Sequence, residues 1–412
     1  MNSYDAVIIG GGIAGLTLAC GLRSSGLNIA IIEAQSAQQG TERPRAYALS
    51  PLSARIFRDL GLWEQIAPAI AHFPKVVLSD ADYPYRVEFL PEDIDEPAVY
   101  YCAEHRVLLA ALQRQIEAAA NITTYYETQV VEVCYKADSA ELLLSNGQTE
   151  RSQIQTQLVV AADGSRSQVR EQAGIQTIGW NYWQSCITAF VSPSGPHQNI
   201  AWERFWAGGP FAILPLPENR CQIVWIAPHA EAEALVALPP DRFMAELQNR
   251  YGEQSGTLTL LSQPLIFPAR LMQSKCYCSH RLVLLGDAAH VCHPVGGQGL
   301  NMGIRDAAAL TQILQTTQNQ DLGSLAVLRR YDSWRRYESW VVLAFTDLLN
   351  RSFSNGWLPL VLLRRSLLHL MILWFPLRQM LLRLMTGLWG WQPQSSMMAN
   401  LISERKQPEN LY

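Results

Sequence analysis

Residues 4–33 of the chain read YDAVIIGGGIAGLTLACGLRSSGLNIAIIE. The apolar runs predict one buried strand over 4–9 and a second over 27–32, and the residues between them have a helical pattern. Three glycines with the spacing GxGxxG stand between the first strand and the helix. A strand, a glycine turn, a helix and a second strand are the elements of a βαβ dinucleotide-binding unit.

Each glycine in this turn has its own physical task. Gly10 permits the tight turn, Gly12 lets the backbone approach a pyrophosphate, and Gly15 allows the helix to pack closely on the strand. Ile13 and Ala14 begin the helix, whose first amides have no partner inside it and so attract negative charge. We therefore predict that these five residues bind a dinucleotide.

An acidic residue completes the pattern at the end of the second strand. Glu33 lies 18 residues after Gly15, where its carboxylate can accept hydrogen bonds from both ribose hydroxyls of an adenosine. A carboxylate there repels a 2′-phosphate, which disfavours NADP at this site. Strand, helix, strand and terminal acid together form a complete fingerprint, whereas a lone GxGxxG is a weak signal.

A second glycine-rich stretch, residues 282–303, reads LVLLGDAAHVCHPVGGQGLNMG. Its apolar start, 282–285, predicts a strand, and a helix is predicted to begin near Leu300. A strand that passes through a polar and then glycine-rich turn into a helix presents backbone amides to a large anionic cofactor. This stretch is the second predicted part of the same site.

A third stretch, residues 158–170, reads LVVAADGSRSQVR and again passes from an apolar strand into a helix through Asp163-Gly164. Alone, Asp-Gly after a strand is most often an ordinary turn. The three stretches in this order, however, resemble the flavoprotein aromatic hydroxylases, the class typified by para-hydroxybenzoate hydroxylase. The resemblance implies that the fingerprint binds the ADP half of FAD and that Asp163 lies near the cofactor and the nicotinamide approach.

Further blocks narrow the resemblance to the ubiquinone-biosynthesis hydroxylase subgroup. They extend over nearly the whole chain and read RPRAYALS at 43–50, LGLW at 60–63, AWERF at 201–205, GPFAILP at 209–215, FTD at 345–347 and FSN at 353–355. Several blocks that match in order are more specific than any single motif.

The resemblance assigns further residues to the cofactor. It implies that Gly286 and Asp287 hold the ribityl chain, an interaction for which a carboxylate acceptor at a strand end is suited. Gly299, Leu300 and Asn301 are predicted to lie where the flavin ring meets backbone, with the positive end of the following helix directed at the ring. The helix N-terminus favours the negative charge of reduced flavin.

Arg45 and Arg106 are the candidates for contacts with the flavin or its phosphates, as matching arginines make in the family. The alternative for each is an ordinary exposed arginine. Pro294, Gly297 and Gln298 are predicted to form the environment of the flavin ring, and no acid–base residue is assigned.

The resemblance implies an FAD-dependent monooxygenase that hydroxylates an aromatic ring, predicted to be a polyprenylated phenol in ubiquinone- or plastoquinone-type biosynthesis. NADH or NADPH reduces FAD as a transient donor, O₂ forms a flavin C4a-hydroperoxide, and the electron-rich ring attacks its distal oxygen. Two alternatives stay open. One is a flavoenzyme of the same fold that acts as a prenyl-chain reductase or epoxidase, and the other is a non-catalytic FAD-containing membrane scaffold.

Composition limits the other classes of function. The net charge of −4 argues against a nucleic acid as the partner. Eight cysteines without a CxxC…CxxC pattern indicate a reduced protein, cytoplasmic or peripheral on the cytoplasmic face of a membrane. His290 and His293 have no third ligand of suitable spacing, so we expect packing near the cofactor and no metal. The glycine turn comes too early for an apolar leader.

The length of 412 residues favours more than one compact core. We predict an α/β protein with a Rossmann-like FAD-binding domain, an inserted, mostly antiparallel substrate domain and a C-terminal helical segment. Short apolar strands are predicted at 186–191, 211–216 and 221–227. The FAD-binding domain takes residues 1–75, 101–178 and 276–340, the substrate domain 76–100 and 179–275, and the C-terminal segment 341–412.

Two surfaces are expected to meet apolar partners. Aromatic residues of the second insertion could form a wall for a hydrophobic ring, although aromatic stripes on strands are more often plain core; they are Trp202, Phe205, Trp206, Phe211 and Trp225. Residues 348–403 contain arginines and tryptophans but no acid, and the uncharged run 366–377 is too short to cross a bilayer. Such helices suit a membrane surface, a homo-oligomer or quinone-synthesis complex interface, or packing on the cofactor domain.

Overall fold

The computed structural model describes residues 2–80, 83–147, 151–252, 256–317 and 320–389. In chain order the strands are β1 (Asn2–Ile9), β2 (Ile29–Ile32), β3 (Ala46–Leu49), β4 (Ala71–Phe73), β5 (Lys75–Asp80), β6 (Arg86–Phe89), β7 (Tyr100–Glu104), β8 (Ile122–Tyr125), β9 (Gln129–Tyr135), β10 (Ala140–Ser145), β11 (Arg151–Ala161), β12 (Thr177–Pro193), β13 (Ile200–Trp206), β14 (Gly209–Leu216), β15 (Arg220–Pro228), β16 (Leu258–Leu260), β17 (Leu265–Ser274), β18 (Cys278–Ser279), β19 (Leu282–Leu284) and β20 (His290–Val291). The α-helices are α1 (Ile13–Leu22), α2 (Ala37–Thr41), α3 (Pro51–Asp59), α4 (Trp63–Ile66), α5 (His105–Glu117), α6 (Gln168–Gln172), α7 (His229–Val236), α8 (Pro240–Tyr251), α9 (Gln298–Gln315), α10 (Leu325–Phe353), α11 (Leu358–Leu373) and α12 (Phe375–Thr386).

The first sheet brings the three predicted loops to one edge. Its order is β18-β19-β11-β1-β2-β8, and the strands from β19 to β8 run parallel. β10 pairs antiparallel with β11, and β9 pairs antiparallel with β10. Ile9 at the end of β1 pairs with Ala161 at the end of β11, which pairs with Leu284 at the end of β19. Because the carboxyl ends of parallel strands lie at the same edge, all three loops leave the sheet at one level.

The first core packs the apolar faces of this sheet against helices on both sides. Parallel strands covered on both faces read as continuous apolar runs, as β1 and β2 do. The buried helical residues that pack here include Leu16 and Leu18 of α1, Leu108 and Leu112 of α5, and Ile304 and Leu310 of α9.

The second sheet has the order β20-β17-β12-β15-β14-β13-β5-β6, with β16 on β12. It is antiparallel except between β13 and β5. The strands predicted at 186–191, 211–216 and 221–227 lie within β12, β14 and β15. A parallel sheet, a mostly antiparallel second sheet and C-terminal helices confirm the predicted fold class. A small antiparallel sheet, β3-β7-β4, completes the described strands.

The predicted aromatic wall lies on the wrong face of the second sheet. Phe211 pairs with Trp225, and both are buried in a cluster that includes Phe243 and Leu247 of α8. Trp202 and Trp206 pack against the same cluster. Only Phe205 of the predicted set faces the other way, into the cluster that holds Phe353 and Leu382. The aromatic stripe is therefore mostly core, since α8 covers it.

The C-terminal segment consists of a long helix followed by two shorter ones. The predicted boundary between residues 340 and 341 falls inside α10. The apolar run 366–377 is divided at Trp374, and Pro376 lies in the first turn of α12, a position that tolerates proline. In the described part of the chain no single helix is long and apolar enough to cross a membrane, although α10 and α11, bent by 118°, pass that test as a pair.

Candidate active site

The three loops border a cleft of about 850 Å³ between the first and second sheets. Most of the residues predicted from the sequence line it, namely Gly10, Gly12, Ile13, Ala14, Glu33, Arg45, Asp163, Gly286, Asp287, Pro294, Gly297, Gln298, Gly299 and Leu300. Residues distant in sequence thus converge on one concave surface.

A side chain added at each of the three fingerprint glycines would meet different surroundings. Gly10 has a φ of +111°, and an added Cβ would lie 2.3 Å from the carbonyl oxygen of Ala162. A Cβ on Gly15 would lie 2.2 Å from the carbonyl oxygen of Gly10. A Cβ on Gly12 meets no heavy atom within 4 Å and points into open space. The protein itself therefore requires Gly10 and Gly15, whereas Gly12 leaves room for a group in the cleft.

Glu33 lies at the end of β2 with its carboxylate tied to backbone amides. Its Oε2 accepts a hydrogen bond of 2.6 Å from the amide of Gly11, and its Oε1 accepts one of 2.8 Å from the amide of Gln35. These bonds orient the carboxylate beside the glycine turn and leave acceptor capacity on each oxygen. The position matches the predicted ribose-binding role.

Asp163 carries a buried acceptor without a partner. Its Oδ2 accepts from the amide of Val169 at 3.3 Å, while its Oδ1 is buried and has no hydrogen-bond partner among the described residues. Burial raises the pKa of this carboxyl. An unsatisfied buried oxygen is costly unless another group donates to it. A ligand with hydroxyl or amide donors, such as FAD, fits this position.

The third loop ends at the N-terminus of α9. Gly296 and Gly297 have φ values of +66° and +61°, which only glycine adopts at little cost. The first residues of α9, Gln298–Leu300, face the cleft with amides that have no partner inside the helix. This positive helix end stabilises nearby negative charge by about 0.3–1 kcal/mol, or up to about 2 kcal/mol where it is partly buried.

A buried ionic network that the sequence did not reveal supports the Gly286-Asp287 turn. Asp306 of α9 accepts hydrogen bonds from the amide of Gly286 at 3.1 Å, from His290 Nε2 at 2.6 Å and from Arg335 Nε at 2.7 Å. Burial alone would raise the pKa of Asp306, but His290 and Arg335 outweigh it and lower the pKa. One carboxylate thus ties the cofactor turn to both α9 and α10.

The side chain of Asp287 faces the cleft. Its side chain is solvent-accessible there, and no described side chain forms an ion pair with it. Desolvation by the protein around the carboxyl raises the pKa of Asp287. An acceptor exposed to the cleft beside the pinned Gly286 suits the predicted contact with ribityl hydroxyls.

Three predicted residues do not line the cleft. Arg106 is exposed, and its guanidinium donates to Glu104 at 3.0 and 3.2 Å, so the geometry favours the surface alternative. Asn301 is buried, accepts from the Ser50 amide at 2.8 Å and donates to the carbonyl of Gly297 at 2.9 Å. It therefore positions the glycine loop from behind. Gly15 serves the packing of helix on strand.

The predicted ring environment is closely packed and carries little charge. Gln298 donates to the carbonyl of Gly296 at 2.9 Å and to the Tyr100 hydroxyl at 3.2 Å, while Pro294 lines the cleft. His293 is buried, and burial lowers its pKa to about 3, so its ring is neutral at neutral pH. Arg45 lines the cleft with its guanidinium 5.2 Å from the ring centre of Tyr47 and 5.1 Å from that of Phe267.

Sequence reasoning missed several residues of the cleft. One group lies at the end of the cleft where the fingerprint is expected to bind adenosine; it comprises Arg43, Gln113 and Tyr126. Another group belongs to the second sheet and comprises Cys186, Thr188, Leu214, Gln222 and Val224. The alternation of apolar residues along β12, β14 and β15 predicted two faces but did not show which one meets the cleft.

Comparison with protein families matches residues 3–346 to the FAD binding domain family. The chain belongs to the FAD binding domain family. Within this family it is 48% identical over 405 residues to the uncharacterized protein slr1300 of Synechocystis sp., with 98% of each chain covered. It is 34% identical over 366 residues to the ubiquinone hydroxylase UbiL of Rhodospirillum rubrum, with 88% of this chain and 84% of UbiL covered.

The fold of this FAD binding domain protein agrees with solved structures. The p-nitrophenol 4-monooxygenase PnpA of Pseudomonas putida DLL-E4 superposes with a TM-score of 0.79 and 18% identity, over 94% of this chain and 98% of PnpA. Membership of the family confirms the predicted resemblance and the cofactor, FAD. The chain is an FAD-dependent monooxygenase of the aromatic hydroxylase class, whose members take electrons from NAD(P)H.

Proposed function

We propose that this enzyme hydroxylates the ring of a polyprenylated phenol in quinone biosynthesis. The observation that carries the proposal is the uncharged wall that β12, β14 and β15 turn towards the cleft, formed by Cys186, Thr188, Leu214, Gln222 and Val224. Such a wall suits a neutral ring better than a carboxylated one, because a buried charge requires a partner. The name of UbiL, a ubiquinone hydroxylase, supports the same class of substrate.

Different residues of the cleft would hold different parts of FAD. Gly10–Ala14 and Glu33 would hold the ADP half, Asp163 and Asp287 the central hydroxyls, and Gly297–Leu300 the ring. When bound, FAD would supply the redox chemistry by which the two electrons of NAD(P)H reduce O₂, so that one oxygen atom enters the substrate and the other leaves as water. The protein contributes orientation, exclusion of water and the positive end of α9.

The outer side of α11 and α12 supports the proposed access of the substrate from lipid. The exposed residues Trp357, Leu358, Leu362, Leu363, Leu367, Leu370, Leu373, Trp374, Phe375 and Met380 form what we call the tail surface. Arg364, Leu368 and Met371 lie on the opposite, buried side of α11. A contiguous apolar patch of this kind marks a membrane or protein contact, and a lipid-soluble substrate favours the membrane.

Three arginines of α11 and α12 form ion pairs within the protein instead of adding free positive charge to the tail surface. Arg364 and Arg365 both donate to the buried Asp80, and Arg378 donates to the buried Asp93. Two of these guanidiniums share the one Asp80 carboxylate, and the ion pairs pin α11 and α12 to the predicted substrate domain. We therefore propose a membrane contact that is mainly apolar and depends little on salt or on anionic lipid.

The hydroxylation is tested with purified holoenzyme, NADH or NADPH, O₂ and 2-geranylphenol. We expect oxidation of the nicotinamide stimulated by the phenol and a product heavier by one oxygen atom, with that atom located on the ring fragment by tandem mass spectrometry. A reduced or epoxidised prenyl chain would instead favour the alternative flavoenzymes. Absence of stimulated oxidation with any prenylated phenol would favour the scaffold.

The membrane contact is tested by flotation with neutral phosphatidylcholine vesicles. A variant of the full chain in which Trp357, Leu363 and Leu373 are changed to Asp should no longer float, because three of the most exposed apolar side chains are lost. The matched control is Leu261→Asp, which changes an exposed leucine far from the tail surface in sequence and should float as the wild type does. Equal flotation of the triple variant would refute the contact.

A further inference from the structure

Glu203 of β13 lies on the face of the second sheet that meets the cleft. It pairs with Ala212 of β14, which pairs with Val224 of β15, which pairs with Thr188 of β12. Directly paired residues of an antiparallel ladder point to the same face. Thr188 and Val224 line the cleft, so Glu203 belongs to the same row. With strands about 4.8 Å apart, it lies about 10 Å beyond Val224 along the roof of the cleft.

The carboxyl of Glu203 also reaches the loop that carries the predicted ring environment. Its Oε1 accepts a hydrogen bond of 3.3 Å from the amide of Gly296, which lies between the cleft-lining Pro294 and Gly297. Between Glu203 and Val224 the row holds only the small side chain of Ala212. Ala212 and Glu203 thus lie at the margin of the cleft, next to the lining residues Leu214 and Gly297.

Apart from the Gly296 amide, the described residues give the partly buried Glu203 carboxyl no hydrogen-bond partner. Phe205, two residues further along β13 on the same face, is buried in an apolar cluster and stacks on Phe353 of α10. In the described ranges no lysine or arginine forms an ion pair with Glu203, and the Oε2 of Glu203 has no hydrogen bond. Burial raises the pKa of Glu203 to about 7. A carboxyl with a raised pKa, one oxygen held by a loop and the other left free is typical of a functional position.

We propose that Glu203 accepts the hydrogen bond of the substrate's phenolic hydroxyl and takes its proton during hydroxylation. The inference rests on the proposed phenol hydroxylase function and names the catalytic residue of that site. The phenolic O–H bond breaks, its electron pair stays on the ring oxygen, and the proton bonds to the free carboxylate oxygen. The ring becomes more electron-rich and takes up one oxygen atom of O₂, while the other oxygen atom leaves as water with the two electrons that NAD(P)H would deliver through FAD. When the substituted ring carbon loses its proton to solvent, the proton on Glu203 returns to the ring oxygen.

Tyr100 interacts electrostatically with Glu203 from another element, and Arg305 lies behind Tyr100; neither group titrates near neutral pH. Tyr100 of β7 donates to the carbonyl of Met385 at 2.8 Å, and burial raises its pKa further above its ordinary value. Arg305 of α9 interacts with Tyr100 and with Gln298, and burial lowers its pKa to about 10. Both keep one charge state at pH 7. Because the carboxylate form is the acceptor, hydroxylation should rise with pH through the pKa of Glu203.

The test compares wild type, Glu203→Gln and Glu203→Asp, with Glu88→Gln as the matched control on an exposed position of the same sheet. Each holoenzyme is assayed for FAD content, for reduction by NADH and NADPH, and for hydroxylation of 2-geranylphenol across pH. Glu203→Gln should retain FAD, lose about 10²–10⁴-fold in kcat and lose the rise near pH 7, while Glu203→Asp recovers part of both. Wild-type kcat and pH profile in Glu203→Gln would overturn the proposal.

A binding measurement separates this inference from the proposed function. The change in flavin absorbance is titrated with 2-geranylphenol and with its methyl ether, which lacks the proton donor. Wild type and Glu88→Gln should prefer the phenol, and Glu203→Gln should bind both equally. If wild type binds but does not hydroxylate the phenol, the proposed function fails, and the preference for the phenol still tests Glu203. An unchanged preference in Glu203→Gln would overturn the role of this residue.

Discussion

Replacing Asp306 by Asn should cost the enzyme about 3–5 kcal/mol of stability. The carboxylate is fully buried and holds the Gly286 amide, His290 and Arg335 with bonds of 3.1, 2.6 and 2.7 Å. An asparagine keeps the shape but loses the charge and one acceptor oxygen, which leaves the buried Arg335 with Glu338 as its remaining carboxylate. Breaking a buried pair from one side costs about 3–5 kcal/mol. This is a large part of the about 5–15 kcal/mol that stabilises a typical domain.

The assay is urea unfolding of the FAD-free protein, together with the FAD content of the purified holoenzyme. We expect Asp306→Asn to lower the unfolding free energy by the stated amount and to purify with less FAD, because the Gly286 turn loses its support. The matched control is Glu141→Gln, which breaks the exposed pair with Lys136 and should cost less than about 1 kcal/mol. An unfolding free energy within about 1 kcal/mol of wild type would refute the reasoning.

The difference in unfolding free energy between wild type and Asp306→Asn should become smaller at low pH. The folded protein lowers the pKa of Asp306 below its value in the unfolded chain, so the carboxylate stabilises the fold above the unfolded pKa of about 3.9. The gap between wild type and Asp306→Asn should be constant at neutral pH and should shrink as the pH falls through the folded pKa. Urea unfolding in acetate and phosphate buffers measures it.

The remaining predictions concern the fingerprint and the tail. Gly12→Ala should lower the unfolding free energy of the FAD-free protein by less than about 1 kcal/mol but should strongly reduce the FAD content. Gly15→Ala should lower the unfolding free energy by about 1–3 kcal/mol, because its Cβ would lie 2.2 Å from a backbone oxygen. Equal stabilities of the two variants would contradict this reasoning. Glu33→Arg should lower FAD content, measured by absorbance, because the acceptors beside the glycine turn are lost; full retention would exclude the assigned role. Asp80→Asn should make α11 and α12 sensitive to limited trypsin digestion, since Arg364 loses its buried carboxylate; wild-type resistance would argue against the pinning.

The parallel sheet and its loops could be predicted because their signals are local. Each apolar strand is followed directly by the glycine or aspartate of its loop, as at Ile9-Gly10 and at Leu285-Gly286. The parallel order then brings the ends of β1, β11 and β19 to one level without further information. That is why the residues from all three loops could be assigned to one cleft before the structure.

The charged contacts could not be predicted because they join distant parts of the chain. Asp80 and Arg364 are 284 positions apart, and in sequence each looks like an ordinary surface charge. Asp306 offered a weak signal, since it lies among apolar residues of α9. Arg106 is the converse case, since the family resemblance predicts a cofactor contact while the structure pairs its guanidinium with the nearby Glu104 at the surface.

The loop around Gly296 connects the proposed phenol site with the tail. From the second sheet, Glu203 accepts from the Gly296 amide. From the tail, the carbonyl of Met385 accepts from the Tyr100 hydroxyl, and that hydroxyl in turn accepts from Gln298. A Cβ on Gly296 would lie 2.4 Å from Cε of Met385, so the tail already fills the space behind the loop. If α12 meets a membrane as proposed, a shift of this helix would act on the Gly296 loop through these contacts, whereas the fingerprint follows β1 on the other sheet.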